Sequence, residues 1–303
     1  MTHAAIPRPA PGETSATLMI VASAICFGLM PLFVRELQGE GLGASKIALY
    51  RFGFSALFLA PFLPLNRHKL NSALLLTGAG IVLGLSLIGY LDAIKAASVA
   101  AAGVVYMTYP VFAVLFAWLL LRQRFTGRSL LAAGLVLAAA ALLLDPSSLS
   151  PEVFKVLLWA VPMPVAMGFA IVVLSGLSGN LTSLERAACA LTGSVLGLLP
   201  LAIIEGEGAI LPASTREWTL IVLMGLVTAL GPQLLYTFAC QAVGPVRSAA
   251  AGSVELPVMF ALGWYAFGET VGFRELVSAC LVLSAILVAP GIATRPGGSA
   301  KPD

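Results

Sequence analysis

Roughly ten apolar stretches, each about 17–24 residues long, follow one another with only short polar interruptions, and this succession limits the fold more than any other feature. They run at about 16–34, 47–65, 72–94, 98–121, 128–144, 153–175, 184–204, 217–240, 245–267 and 273–292. Each can cross about 30 Å of hydrocarbon as a helix, the fifth only just. Charged residues make up 10% of the 303 and hydrophobic ones 59%, against roughly 25% and 45–50% in a soluble domain. So few charges cannot cover a water-facing surface. The expected fold is an all-α integral membrane protein of about ten transmembrane helices, with the lipid bilayer as its solvent. The first stretch is too long for a signal-peptide core and lacks a cleavage site, so it counts as an uncleaved span.

Residues 1–15, with Pro7, Pro9 and Pro11, and residues 293–303 read as disordered tails. The net charge of +3 offers nothing to nucleic acid. The four cysteines, Cys26, Cys189, Cys240 and Cys280, lie inside apolar stretches without C-x-x-C spacing, and the two histidines, His3 and His68, lie outside the spans. No disulfide, metal set, histidine chemistry or cofactor is expected. The loops are too short for a catalytic or nucleotide-binding domain, and the Walker pattern is absent; no enzyme is expected. The glycines of 78–84 sit in an apolar run and read as helix-packing positions.

Lysine and arginine set the orientation. One side collects Arg8, Arg67, Lys69, Arg122, Arg124, Arg128, Arg186, Arg247, Arg295 and Lys301; the other has Arg35, Lys46, Lys95, Lys155, Arg216 and Arg274. The heavier side is cytoplasmic, which puts both termini there.

The halves 16–145 and 146–292 repeat each other. Ala100-Ala101-Ala102-Gly103, Tyr109-Pro110, Trp118 and Gln123 in the fourth span answer Ala249-Ala250-Ala251-Gly252, Leu256-Pro257, Trp264 and Glu269 in the ninth. Arg128 answers Arg274, Gly28 answers Gly168, and Pro61 answers Pro200. With an odd number of spans per half the second copy is inverted, and inverted repeats with a midplane site are a transporter architecture. The pattern resembles the drug/metabolite transporter superfamily, and within it the ten-helix EamA-type branch; Glu269-Thr270 and Arg51 also fit it, while Gln123 departs from it. The chain is most similar to the bacterial aromatic-amino-acid exporters. That resemblance implies an inner-membrane exporter of small metabolites.

Glu255, about ten residues into the ninth span, is the deepest acid: a coupling proton site, a counter-charge for an ammonium, or a structural carboxyl beside Pro257. Arg51 lies about five residues inside the second span, where its stem can snorkel to the outer interface; alternatively it holds an anionic group, pairs with Glu255 or takes part in gating. Tyr90, Tyr106, Tyr109, Trp159, Met163 and Tyr236 are candidate substrate-binding residues, because such side chains suit a large apolar body with a polar head. Pro110 and Pro257 are candidate hinges. The expected function is alternating-access export of amino acids, bulky and aromatic ones included, either proton-coupled or facilitated. Cationic drugs or other metabolites are the alternative cargo; a channel or a lipid scramblase is the alternative from another class. Gly134 and Ala138 form a small-residue face that could serve a weak homodimer, though a monomer uses the same pattern internally.

Overall fold

The computed structural model describes residues 12–96, 103, 105–124, 126–143, 150–204, 211–267 and 272–290. Most of both expected tails, the run Ala100–Ala102 and the pair Glu269-Thr270 lie outside the described residues. Among the described residues every regular element is helical: α1 (Glu13–Gly28), α2 (Met30–Gly39), α3 (Ala44–Leu59), α4 (Arg67–Ala96), α5 (Tyr109–Leu121), α6 (Gly127–Leu143), α7 (Pro151–Trp159), α8 (Pro162–Val172), α9 (Ser183–Ile204), α10 (Thr215–Gly225), α11 (Gly231–Gly252), α12 (Glu255–Phe267) and α13 (Phe273–Val288). Wider π-helical segments, Val173–Leu177 and Leu226–Leu230, continue α8 and join α10 to α11.

Several apolar stretches are not straight rods, and proline explains where they break. A proline cannot donate to the carbonyl four residues earlier and its ring crowds that carbonyl, but it is tolerated in a first helical turn. At four prolines the chain starts a new helix at the proline or within two residues before it, α2 with Pro31, α5 with Pro110, α8 with Pro162 and α12 with Pro257, whereas α9 runs on through Pro200. Within α11 the break is sharper. Gly244 has φ 78° and ψ 173° ahead of Pro245, a combination essentially restricted to glycine.

Packing relies on small residues. Gly80-x-x-x-Gly84 on α4 faces Gly193-x-x-x-Gly197 on α9, and a β-carbon at any of the four would strike backbone of the other helix. These helices run parallel, since Lys69 meets Glu185 at one end and Gly84 meets Ser194 and Gly197 further along. Close approach of this kind holds membrane helices together, because lipid removes the hydrophobic drive between them. Elsewhere α1 packs on α11, α3 on α9, α5 on α8 and α6 on α13. Ser23 Oγ donates to the Pro232 carbonyl at 2.8 Å and Ser278 Oγ to the Ala139 carbonyl at 3.0 Å.

The outside is apolar. Leu57, Phe58, Leu74, Ile203, Ile204 and Leu287 all project outward, which suits hydrocarbon and not water. Glu13–Gly39, Arg67–Leu87, Phe154–Leu177, Ser183–Ile204 and Thr215–Ala266 are long and apolar enough to span a membrane, with shorter apolar helices beside them. Ion pairs sit at the ends of helices: Lys69–Glu185 at 2.7 Å, Arg247–Glu13, and Arg216 with Glu36 at 2.7 Å and with Glu40.

Candidate functional site

Proline also prepares the site. Pro232 has no N–H for the Thr228 carbonyl four residues before it, and the backbone there widens into the π-helical segment. Arg51 on α3 takes up the freed carbonyl. Its Nε donates to Thr228 O at 3.0 Å and to Thr228 Oγ1 at 3.1 Å, and Nη2 donates to the same carbonyl oxygen. Nη1 donates to Met30 Sδ at 3.0 Å. The guanidinium lies 4.9 Å from the Phe52 ring centroid and 5.9 Å from that of Phe27. Arg51 is only 8% exposed, so the expected snorkelling to the interface does not occur. The reason is local: a carbonyl released inside the membrane is a nearer and stronger acceptor for the cation than the distant interface. Two N–H groups, one on each terminal nitrogen, remain for another acceptor.

Arg51 forms part of the wall of a cavity of about 160 Å³. Tyr90, Tyr106, Met163, Tyr236 and Glu255, all proposed from the sequence, line it with Arg51. Tyr90 and Tyr106 meet in a tilted contact with ring centroids 5.6 Å apart, and Tyr106 and Tyr109 meet likewise at 5.4 Å. Glu255 opens α12, where the positive end of the helix dipole favours a carboxylate. Among the described residues its carboxylate has no hydrogen bond or ion pair, and it is not paired with Arg51. Among the described residues, Arg51, Tyr90, Tyr106 and Tyr109 are the charged and titratable groups within electrostatic reach of it. From α1 the near neighbour is Gly28, where a β-carbon would stand 2.7 Å from Val258 Cγ1.

Two expected site residues lie elsewhere. Trp159 ends α7 as an exposed residue, 58% accessible, and the fully buried Ala160 follows it. The chain turns there ahead of Pro162, which leaves the indole on the outer surface in the manner of an interfacial tryptophan. Tyr109 is buried but does not line the cavity. Its hydroxyl donates to the Ala249 carbonyl at 3.0 Å and lies 3.5 Å from Ser253 Oγ, joining the break before α5 to the break before α12. Pro110 and Pro257 stand just beyond those two breaks. Tyr109→Phe should remove this link at a cost of about 0.5–1.5 kcal/mol. Thermal unfolding in detergent should show it as a fall of about 2–4 °C per kcal/mol, and an unchanged midpoint would count against the link.

Sequence reasoning missed Thr228, Met30, Phe27, Phe52, Met167 and Gln233. The available signal for Thr228 was its place four residues ahead of a proline.

The sequence matches the EamA-like transporter family over residues 14–145 and again over 154–289. An uncharacterized transporter of Archaeoglobus fulgidus is 25% identical over 269 residues, which cover 87% of this chain and 92% of that one. A solved structure described only as that of a protein superposes with a TM-score of 0.70 over 91% of this chain and 96% of that chain, at 19% identity, a likeness of fold.

Proposed function

Because the chain belongs to the EamA-like transporter family, we propose that it is a secondary transporter that exports small zwitterionic metabolites, amino acids with bulky or aromatic side chains included, by alternating access. The carrying observation is the cavity itself. Arg51 and Glu255 stand in its wall unpaired with each other, among tyrosine, phenylalanine and methionine side chains. A carboxylate suits the two remaining guanidinium N–H groups, an ammonium suits Glu255, and an apolar body suits the rings. A cavity of about 160 Å³ lies below the roughly 300–1,000 Å³ of drug-sized pockets, which favours a small metabolite.

The reading takes 16–145 and 146–292 as inverted five-helix repeats in a bacterial inner membrane, with both termini cytoplasmic and no need for a second subunit. Three observations support the repeat. The family match recurs once in each half. Gly28 admits α12 at Val258 and the Glu255 carbonyl, while its counterpart Gly168 admits α5 at Phe112 and Ala113. Proline breaks fall in the first and fourth stretches of one half and in the corresponding stretches of the other. The breaks joined through Tyr109 are where half-helices would rock.

Counterflow in proteoliposomes tests the reading: vesicles preloaded with unlabelled amino acids should accumulate labelled phenylalanine saturably, with competition by other amino acids. No exchange across the panel by folded, inserted protein would remove amino acids as cargo. Glu255→Gln separates coupling from facilitation, because it keeps the shape and removes the titrating group. If Glu255 carries the proton, the variant's exchange should become nearly independent of pH between about 5 and 8; an unaltered pH profile would leave facilitated transport.

A further inference from the structure

Three helices lead from the cavity wall toward the end of the bundle where Lys69 pairs with Glu185. Leu174, Ala190 and Tyr236 line the cavity. One helical turn on, about 6 Å, the same three paths carry Ser178, Arg186 and Cys240. Ser178 Oγ donates to the Leu174 carbonyl at 2.9 Å, and Cys240 lies within electrostatic reach of Arg186. This second layer is closed: Arg186 is 4% exposed and Ser178 and Cys240 are fully buried.

Arg186 is an anomaly there. Its Nη2 donates to Ser183 Oγ at 3.0 Å, but Nε and Nη1 are buried without a partner among the described residues. The adjacent carboxylate is already engaged, since Glu185 holds Lys69 Nζ at 2.7 and 2.9 Å and the Thr182 N–H at 2.7 Å. Arg186 also sits in the first turn of α9, where the helix dipole adds positive partial charge. A buried guanidinium with open N–H groups is costly, and this position raises the cost. One turn away the Tyr236 hydroxyl, in the cavity wall, is buried beside the Ser248 hydroxyl and makes no well-formed hydrogen bond among the described residues. Two neighbouring layers thus hold donors that lack a formed hydrogen bond among the described residues, and the carboxylate adjacent to Arg186 is not left to serve them.

We propose that Arg186 is a second anion subsite, which takes the carboxylate of the transported molecule one turn beyond the cavity while Tyr236 hands it between Arg51 and Arg186. The proposal rests on the cavity being the substrate site. It gives the route two cationic handholds, so that the carboxylate is never left unpaired in the low-dielectric interior.

The test follows thermal unfolding of the full chain in nanodiscs of phosphatidylcholine, with 3-phenylpropanoate as a probe that has the carboxylate and lacks the ammonium. In Arg51→Gln the probe should still raise the Tm, and adding Arg186→Gln should abolish the rise while adding Arg186→Lys retains part of it. A rise abolished by Arg51→Gln alone would overturn the subsite and leave the cavity reading standing. No rise in the unaltered protein would overturn both. A rise that appears only on exchange into phosphatidylglycerol, dependent on Arg186, would identify a lipid headgroup phosphate as the anion and overturn the substrate role. Arg186→Gln alone provides a measurement that does not depend on folding of the Arg51 variant. Its apparent Kd for 3-phenylpropanoate should rise by about tenfold or more, equivalent to about 1.4 kcal/mol, with that for phenethylamine unchanged. Equal Kd values for both proteins would overturn the proposal.

Discussion

Leucine at Gly84 should cost the protein its fold, while leucine at Gly78 on the same helix should not. At Gly84 a β-carbon would strike the Ser194 carbonyl and stand 3.1 Å from Gly197 Cα, whereas at Gly78 nothing lies within 4 Å. The collision sets a rigidly attached β-carbon against backbone, so no rotamer change can relieve it. Overpacking in a core that can adjust costs about 1–3 kcal/mol. Here α4 and α9 must separate along their length, and each of Gly80, Gly84, Gly193 and Gly197 loses its close contact together. The expected loss is at or above about 3 kcal/mol, a large share of a total of about 5–15 kcal/mol. Fluorescence-detected size exclusion and thermal unfolding in detergent would show Gly84→Leu aggregated or absent and Gly78→Leu monodisperse with a near-native midpoint. Equal behaviour of the two variants would refute the helix–helix contact.

The contrast between these glycines also marks how far the sequence could be read. That the 78–84 glycines serve packing followed from their apolar surroundings; which of them touch another helix, and which helix, did not. Periodicity assigns a face to a residue but names no neighbour, and the partner motif at Gly193 and Gly197 lies far along the chain. Proline was more informative. Its missing donor acts four residues away in the same segment, so the breaks at Pro31, Pro110, Pro162 and Pro257 were accessible from local chemistry. Arg51 lay between these cases. Its depth in the span was legible, but depth alone favoured an escape to the interface. What holds it inside is a carbonyl on a different helix, freed by Pro232, and reading that in advance required knowing that α3 and the Thr228 segment are neighbours. Trp159 failed for a related reason. An aromatic residue near a helix end is equally compatible with lipid and with a cavity, and only the turn at Ala160 decides which way the ring goes.

Arg51→Gln should nearly abolish exchange of an amino acid while sparing an amine that has no carboxylate. Two consequences of the substitution have to be separated. The first is structural: the Thr228 carbonyl, freed by Pro232, loses its charged donor in a region without water, at a cost of about 1–3 kcal/mol. That lowers the unfolding midpoint whatever the cargo. The second belongs to the cargo. Two charge-assisted hydrogen bonds to a carboxylate disappear, and hydrogen bonds to charged groups contribute about 1.5–3 kcal/mol each. Even one of them corresponds to a roughly 10–150-fold weaker interaction. Counterflow of labelled phenylalanine by folded Arg51→Gln protein should therefore show a KM raised at least about tenfold, with competition by phenethylamine unchanged. Arg51→Lys should recover little, because an ammonium cannot hold the Thr228 carbonyl and present a planar pair of N–H groups to a carboxylate together. A lowered midpoint with an unchanged KM would make Arg51 a structural brace of the π-helical segment alone. Equal losses for phenylalanine and phenethylamine would mean that the guanidinium shapes the cavity without holding the carboxylate.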